Sequence, residues 1–232
     1  MKNLIIIGGS GFIGKSFIDG FNKGLLKKFK IKTLTIICRN PNQIIKNKSL
    51  NLKKIKLIKG DITNIKRLPK SNLFIYASEP ANIKIYSKKL VKKYSKAILN
   101  FIKLIKNIKN PKILYISSGA VNGKLNNKKN YSNYSVLKKF SESEILKLAN
   151  LGLKVSIARC YSFIGRWLPL NQHYAIGNFI FDGLMRKYIN IKSSSKVYRS
   201  YMFSDDLVIW LTKILINSNI NCPTYNVGSD EK

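Results

Sequence analysis

Apolar residues in this chain come in short continuous runs, separated by longer stretches in which they recur every three or four positions. Leu4-Ile5-Ile6-Ile7 is the first run, and Thr33–Cys38, Ile55–Lys59, Leu73–Ala77, Ile113–Ser117 and Val155–Arg159 repeat its character. Such runs predict strands buried on both faces rather than half-exposed ones. Between them lie helical patterns, from Phe12 to about Asn22, from Ile83 to about Ile108 and from Tyr134 to Asn150. The second is the clearest: Leu90, Val91, Tyr94, Ala97, Ile98, Phe101, Ile102 and Ile105 follow the 3.6-residue period. Pro111 restarts the chain into its next strand, and Gly152 stops the third helix. Strands alternating with helices in this way predict an α/β fold, a parallel sheet doubly wound with helices on both faces. After Gly165 the pattern loosens into a loop, a helix near Gly177–Tyr188, a helix near Asp205–Ile216 and a short strand at Thr224–Val227. The expected division is a main unit over residues 1–165 and a smaller, intertwined portion over residues 166–232. The Lys- and Asn-rich segment Gly123–Asn133 is expected to be an exposed loop, not a linker between domains.

Composition adjusts this picture in three ways. A length of 232 residues suits one good-sized α/β domain with a small appendage. Hydrophobic residues make up 45% of it, enough for a core, yet no apolar stretch approaches a membrane span. The first apolar run ends in glycines rather than at a small-residue cleavage site, so no signal peptide is expected. Cys38, Cys160 and Cys222 are scattered, and His173 is the single histidine. No metal site is expected from such a set, and the compartment is read as reducing, hence cytoplasmic. The formal net charge is +33. A charge of that size suits nucleic acid or another anionic partner. However, 37 Lys stand against six Arg, with Ile and Asn enriched alongside. Bidentate recognition of phosphates and bases favours Arg, so the charge is read as a uniformly lysine-covered surface before it is read as a nucleic-acid site.

Gly8, Gly11 and Gly14 follow the first strand and open the first helix. In that context the first glycine permits a tight turn, the second lets a pyrophosphate approach the backbone, and the third allows close packing. The helix N-terminus adds N–H donors and the positive end of its dipole, so a dinucleotide is the expected ligand. The second strand ends Cys38-Arg39-Asn40, with no carboxylate to accept hydrogen bonds from an adenosine ribose. Arg39 tilts the expectation toward NADP, with NAD still open because the same guanidinium could stack on adenine. Asp61, after the third strand, is placed for the adenine edge; alternatively it caps Ile62–Lys66 or serves the turn.

Ser117 and Ser118 end the fifth strand, at the sheet edge where open α/β folds bind ligands. Tyr134 begins the next helix and Lys138 lies one turn further on the same face. Tyr-x-x-x-Lys is weak by itself. With 12 Tyr in so lysine-rich a chain about two such pairs arise by chance, and there are two, the other being Tyr188/Lys192. Position separates them. A tyrosine of ordinary pKa about 10 is a poor acid or base at neutral pH, and a neighbouring ammonium favours its phenolate. Ser118, Tyr134 and Lys138 are therefore the expected catalytic set, and Tyr188/Lys192 a solvent-facing pair.

With these landmarks the chain resembles an extended short-chain dehydrogenase/reductase of the NAD-dependent epimerase/dehydratase family, which acts on nucleotide-linked sugars. The matching residues run in order from end to end: Gly8 to Gly14, Gly60-Asp61-Ile62, Ser117 to Val121, Tyr134 to Lys138, Arg159, Arg199-Ser200-Tyr201 with Asp205-Asp206, and Tyr225-Asn226-Val227-Gly228. The resemblance implies a Rossmann-type sheet, with residues 166–232 forming a partial substrate-binding region. It implies that Tyr134 moves a proton at a sugar hydroxyl or ketone while hydride passes to or from nicotinamide, that Ser118 holds that oxygen, and that Lys138 holds the nicotinamide ribose. The cofactor set expected is Gly8, Gly11, Phe12, Ile13, Gly14, Arg39, Asp61, Ile62, Ala77 and Lys138. Asn178 and Arg199 are implied contacts of the nucleotide diphosphate, with helix cap and surface charge as their simpler roles. Family dehydratases carry Asp-Glu after the catalytic Ser/Thr, and related decarboxylases a Glu; here Gly119-Ala120 stand there, which leaves 4-epimerisation or reduction of a 4-keto sugar. A homodimer through the helices at Ile83–Ile108 and Tyr134–Asn150 is also implied. The chain stops at Lys232, soon after the last landmark, where relatives usually continue, so either a shortened member with an open substrate site or a truncated product is expected. The competing reading is a catalytically silent dinucleotide-binding protein that meets RNA through its basic surface.

Overall fold

In the computed structural model, β1 (Lys2–Ile7) buries Leu4 and Ile6 against one helical layer and Ile5 and Ile7 against the other. Successive strand side chains point to opposite faces, so the unbroken apolar run Leu4–Ile7 is what two covered faces require. The structure describes residues 2–80, 87–122, 132–170, 172, 174–185, 188–191 and 193–229. The loop expected over Gly123–Asn133 lies mostly outside those residues, as do His173, Lys192 and the Ile83 start expected for the long helix.

After β1 come α1 (Phe12–Asn22), β2 (Ile31–Cys38), the single turn α2 (Asn42–Ile45), β3 (Ile55–Lys59) and β4 (Leu73–Tyr76). They are followed by α3 (Lys88–Ile105), β5 (Lys112–Ser118), α4 (Asn133–Asn150) and β6 (Lys154–Cys160). The chain then forms β7 (Phe163–Ile164), α5 (Ala175–Met185), β8 (Met202–Phe203), α6 (Ser204–Ile216) and β9 (Thr224–Val227). The main sheet has seven strands in the order β3-β2-β1-β4-β5-β6-β9, every neighbouring pair parallel. β7 and β8 form a separate two-stranded parallel ladder. This is the Rossmann-type doubly wound arrangement.

One core layer packs α1 and α6 on the sheet, through Phe17, Ile18, Leu207 and Leu211. The other packs α3 and α4, through Ala97, Ile98, Phe101, Leu137 and Ile145. Of residues 166–232, α6 thus belongs to the sandwich and β9 extends the sheet by pairing with β6. The long helix begins later than its periodicity suggests, because the Ser87 hydroxyl accepts from the Leu90 N–H at 3.3 Å and caps it there. Ser132 caps α4 in the same way, accepting from Ser135 N–H at 3.2 Å. The helix expected near Gly177–Tyr188 starts and ends earlier, at Ala175 and Met185.

The direction in which strands are added reverses between β1 and β4: from β1 they proceed outward to β3, and from β4 outward the other way to β9. That switch point opens a crevice at the carboxyl ends of the strands.

Candidate active site

The crevice is a cavity of about 700 Å³. Its floor is the turn from β1 into α1. Gly8 takes a φ of +89°, and a Cβ there would lie 2.3 Å from the Ser78 Cα, so no other residue fits. A Cβ on Gly14 would meet the Gly9 carbonyl oxygen at 2.0 Å, so this position is held by packing. Gly11 differs: its Cβ would meet nothing within 4 Å, and it faces the cavity at the N-terminus of α1. Open space in front of the free N–H groups of a helix start is a cradle for phosphate, and this fits a dinucleotide. Gly11→Val should therefore weaken binding of NAD or NADP about tenfold or more, about 1.4 kcal/mol, while leaving the thermal midpoint unchanged. Isothermal titration beside a melting curve checks both halves.

Around this floor the structure gathers most of the sequence-predicted residues. Gly8, Gly11, Phe12, Ile13, Arg39, Ile62 and Ala77 line the cavity, and so do Ser118, Tyr134, Lys138 and Arg199. Arg39 donates from Nη2 to the Tyr94 hydroxyl at 3.3 Å, which fixes its guanidinium at the end of β2. Asp61 is not a lining residue. Its Oδ1 accepts from the Thr63 N–H at 3.0 Å and the Thr63 hydroxyl at 2.9 Å, which braces the turn. Burial pushes its carboxyl up, but those two bonds with the Lys93 and Arg39 charges hold it below the ordinary value. Asn178 also stands off the lining, inside α5 rather than at its cap, and its Oδ1 is buried with no hydrogen-bond partner among the described residues. Arg199 is exposed where it borders the cavity.

Ser118 ends β5, where its hydroxyl accepts from the Ala120 N–H at 3.2 Å. A brace holds that strand end. Ser117 donates to Glu142 Oε1 at 2.5 Å, and Arg159 on β6 grips the same carboxylate from Nε at 3.0 Å and Nη2 at 2.7 Å. β5, α4 and β6 are thereby tied at one point by a bidentate charge-assisted pair. On α4, Tyr134 is buried, and the Lys138 ammonium lies 5.7 Å from its ring centroid. Lys138 donates to the Ile116 carbonyl at 2.7 Å.

Two residues absent from the sequence-based set, Glu79 and Tyr161, complete the site. Glu79, just beyond β4, places Oε2 2.7 Å from the Lys138 ammonium, with the two side chains 1% and 5% exposed. The same Oε2 accepts from the Tyr115 hydroxyl at 2.9 Å, and Oε1 from the Ser141 hydroxyl at 3.0 Å. A signal for Glu79 existed: the chain has only 10 Asp and Glu, and this one falls at a strand's carboxyl end. Tyr161 packs its ring over Gly119, where a Cβ would lie 2.5 Å from the ring. The position after Ser118 therefore has no room for an acidic side chain unless Tyr161 moves. The Tyr161 hydroxyl, in turn, accepts from Asn122 and donates to Asn226, each at 3.3 Å. Among the described residues no group of three His, Cys, Asp or Glu stands where it could hold a metal ion, and no helix is long and apolar enough to cross a membrane.

Comparison with known proteins agrees with this geometry. The NAD dependent epimerase/dehydratase family matches residues 4–228. A stretch of 81 residues is 31% identical to UDP-glucuronic acid decarboxylase 1 of Danio rerio, covering 35% of this chain and 19% of that protein. The match spans about a fifth of the curated relative's length. Among solved structures, the Bordetella bronchiseptica enzyme WbmF in complex with NAD+ superposes with a TM-score of 0.79 at 15% identity, covering 99% of this chain and 74% of that one. UDP-N-acetylglucosamine 4-epimerase from Bacillus cereus gives 0.72 at 17% identity, covering 100% and 77%. DesIV, a dTDP-glucose 4,6-dehydratase from Streptomyces venezuelae with NAD bound, gives 0.76 at 14%, covering 97% and 75%.

Proposed function

The chain belongs to the NAD-dependent epimerase/dehydratase family, and from that premise we propose that it is an NAD(P)-dependent nucleotide-sugar epimerase or 4-ketoreductase. The observation that carries the reading is the meeting of Ser118, Tyr134 and Lys138 in the same cavity as the Gly8–Gly14 turn. When bound, the nicotinamide supplies or takes the hydride at a sugar carbon. The protein side chains do the rest. Ser118 donates a hydrogen bond to the reacting sugar oxygen, Tyr134 gives or takes the proton at that oxygen, and Lys138 positions the cofactor ribose. Arg199, which lines the cavity, is the proposed contact of the nucleotide diphosphate, and Asn178, off the lining within α5, is proposed to support that side of the site. Dehydration is disfavoured because Gly119 and Ala120 carry no acid and Tyr161 fills the space above Gly119.

Three finer points belong to the same proposal. Arg39 at the cavity, without a carboxylate beside it at the end of β2, favours NADP over NAD. Arg39→Ala should then weaken NADP about tenfold or more, the worth of one hydrogen bond to a charged group, and leave NAD affinity unchanged; fluorescence titration with both cofactors reads the ratio. The proposed homodimer pairs the α3 and α4 faces, which expose Leu99, Val136 and Leu146. Three buried, unpaired cysteines suit a reducing cytoplasm.

Turnover tests the reading directly. Purified protein with NADP or NAD is offered UDP-, dTDP-, GDP- and CDP-linked sugars and 4-keto sugars, and at least one should be epimerised or reduced. Cofactor binding without turnover, joined to RNA binding that persists at moderately high salt, would instead support the silent dinucleotide-binding protein, since purely electrostatic binding falls steeply with salt.

A further inference from the structure

Among the described residues, Glu79 is the one acidic side chain lining the cavity. It is almost wholly buried and fully engaged: Lys138, Tyr115 and Ser141 all donate to its carboxylate. Lys138 is equally committed, to Glu79 and to the Ile116 carbonyl. The ammonium beside Tyr134 is therefore not a lone positive charge but half of a buried ion pair. A lone ammonium stabilises a phenolate strongly at low dielectric, whereas a neutral pair does so weakly.

We propose that Glu79 is a positioning residue that holds and neutralises Lys138, so that the site works chiefly by proton donation from Tyr134 to a ketone. This rests on the proposed function and gives it a direction: reduction of a keto sugar. In that step the carbonyl carbon gains hydride from a reduced nicotinamide dinucleotide, the former π pair on oxygen takes the Tyr134 proton, and solvent reprotonates the phenolate. The surroundings leave the pair in control of the local charge. Toward Glu79 face Tyr115 on β5, Tyr76 on β4 and Tyr94 on α3; burial drives the first two well above the ordinary phenol value and raises the third despite the Arg39 guanidinium bound to it. Asp61 acts on that corner only through Tyr76 and Tyr94. Toward Lys138 faces Cys160 on β6, and toward Tyr134 faces Tyr174; burial pushes each up to about 12. Near neutral pH these groups are uncharged. Burial pulls the Lys138 ammonium down, but attraction to Glu79 more than offsets it, so the ammonium stays charged.

The test needs no substrate. Tyrosine ionisation is followed by ultraviolet difference absorbance in the parent and in Glu79→Gln, each with and without Tyr134→Phe, so that subtraction isolates Tyr134 from the other tyrosines. With the Glu79 charge gone and Lys138 unneutralised, the Tyr134 midpoint should fall by about one unit or more, and Glu79→Asp should restore it toward the parent. For ketone reduction, activity needs protonated Tyr134 and is lost as pH rises through its pKa, so the alkaline limb of the rate profile should move to lower pH in Glu79→Gln. An unmoved Tyr134 midpoint overturns the inference where the Lys138 side-chain NMR resonance shows an ammonium; where burial has stripped its proton, the double variant Glu79→Gln with Lys138→Gln decides. If Glu79→Gln does not fold, Glu79→Gln with Lys138→Gln replaces the ion pair by two neutral groups. A midpoint equal to the parent's supports the inference, and a higher one overturns it by showing that Lys138 acts as a net charge. Full turnover in Tyr134→Phe would sink the proposed function and leave the titration result standing.

Discussion

Tyr134→Phe should lower kcat by about 10²–10⁴-fold, the usual worth of a positioned proton-transfer group, with cofactor affinity unchanged. The ring is buried in the layer beneath α3 and α4, and phenylalanine keeps that packing, so the fold should hold while the phenol proton is lost. Ser118→Ala is the companion: it removes a hydrogen bond to the reacting oxygen, with a loss of about 10²–10³-fold expected for one such donor. Steady-state rates and cofactor titration on the same preparations separate lost chemistry from lost binding. Tyr188→Phe serves as the control, since its exposed side chain lies outside the cavity lining and should leave the rate as it was.

The second large effect is on stability. Glu79→Ala leaves the buried Lys138 ammonium with the Ile116 carbonyl as its one acceptor among the described residues and strips Tyr115 and Ser141 of theirs. Removing one partner of a buried pair typically costs about 3–5 kcal/mol, and urea unfolding of Glu79→Ala should show a loss of that order. Replacing both members with apolar residues, Glu79→Leu with Lys138→Met, should recover most of it, because no uncompensated charge then remains inside. A double variant no more stable than Glu79→Ala would mean that the pair is not what the single change breaks. The pH dependence has a definite sign. Glu79 raises Lys138 above its usual value despite burial, so this contribution is complete below about 10.5 and fades as pH climbs through the raised folded value.

Much of this architecture is legible in the residues. β1 and β4 show this best, because a central strand covered on both faces leaves a plain apolar run, Leu4–Ile7 and Leu73–Tyr76; the edge strands β3 and β9 also fall at their expected ranges. Helix starts are less legible. Periodicity continues upstream of Ser87, and only the hydroxyl capping the Leu90 N–H marks where α3 begins. At the site, Ser118, Tyr134, Lys138 and the glycine turn were readable from their order along strand ends. Glu79, Tyr161 and the Ser117–Glu142–Arg159 brace were not, since they act through contacts across 17 or more residues of chain, or through the space a neighbouring glycine leaves. Asp61 is a different case, a residue in the expected place with one carboxylate oxygen, Oδ1, engaged by its own turn.

The strand order also bears on how the molecule keeps to itself. β3 ends the sheet on one side, and its outer backbone is a ready template for another strand. Its sequence alternates partly covered Ile55 and Leu57 with exposed Lys56, and closes on exposed Lys59. A second chain adding there would have to align ammonium groups against ammonium groups, which discourages edge-to-edge aggregation. Some of the lysine that makes this surface look like a nucleic-acid binder thus serves colloidal solubility, guarding an open sheet margin in a protein of high positive charge.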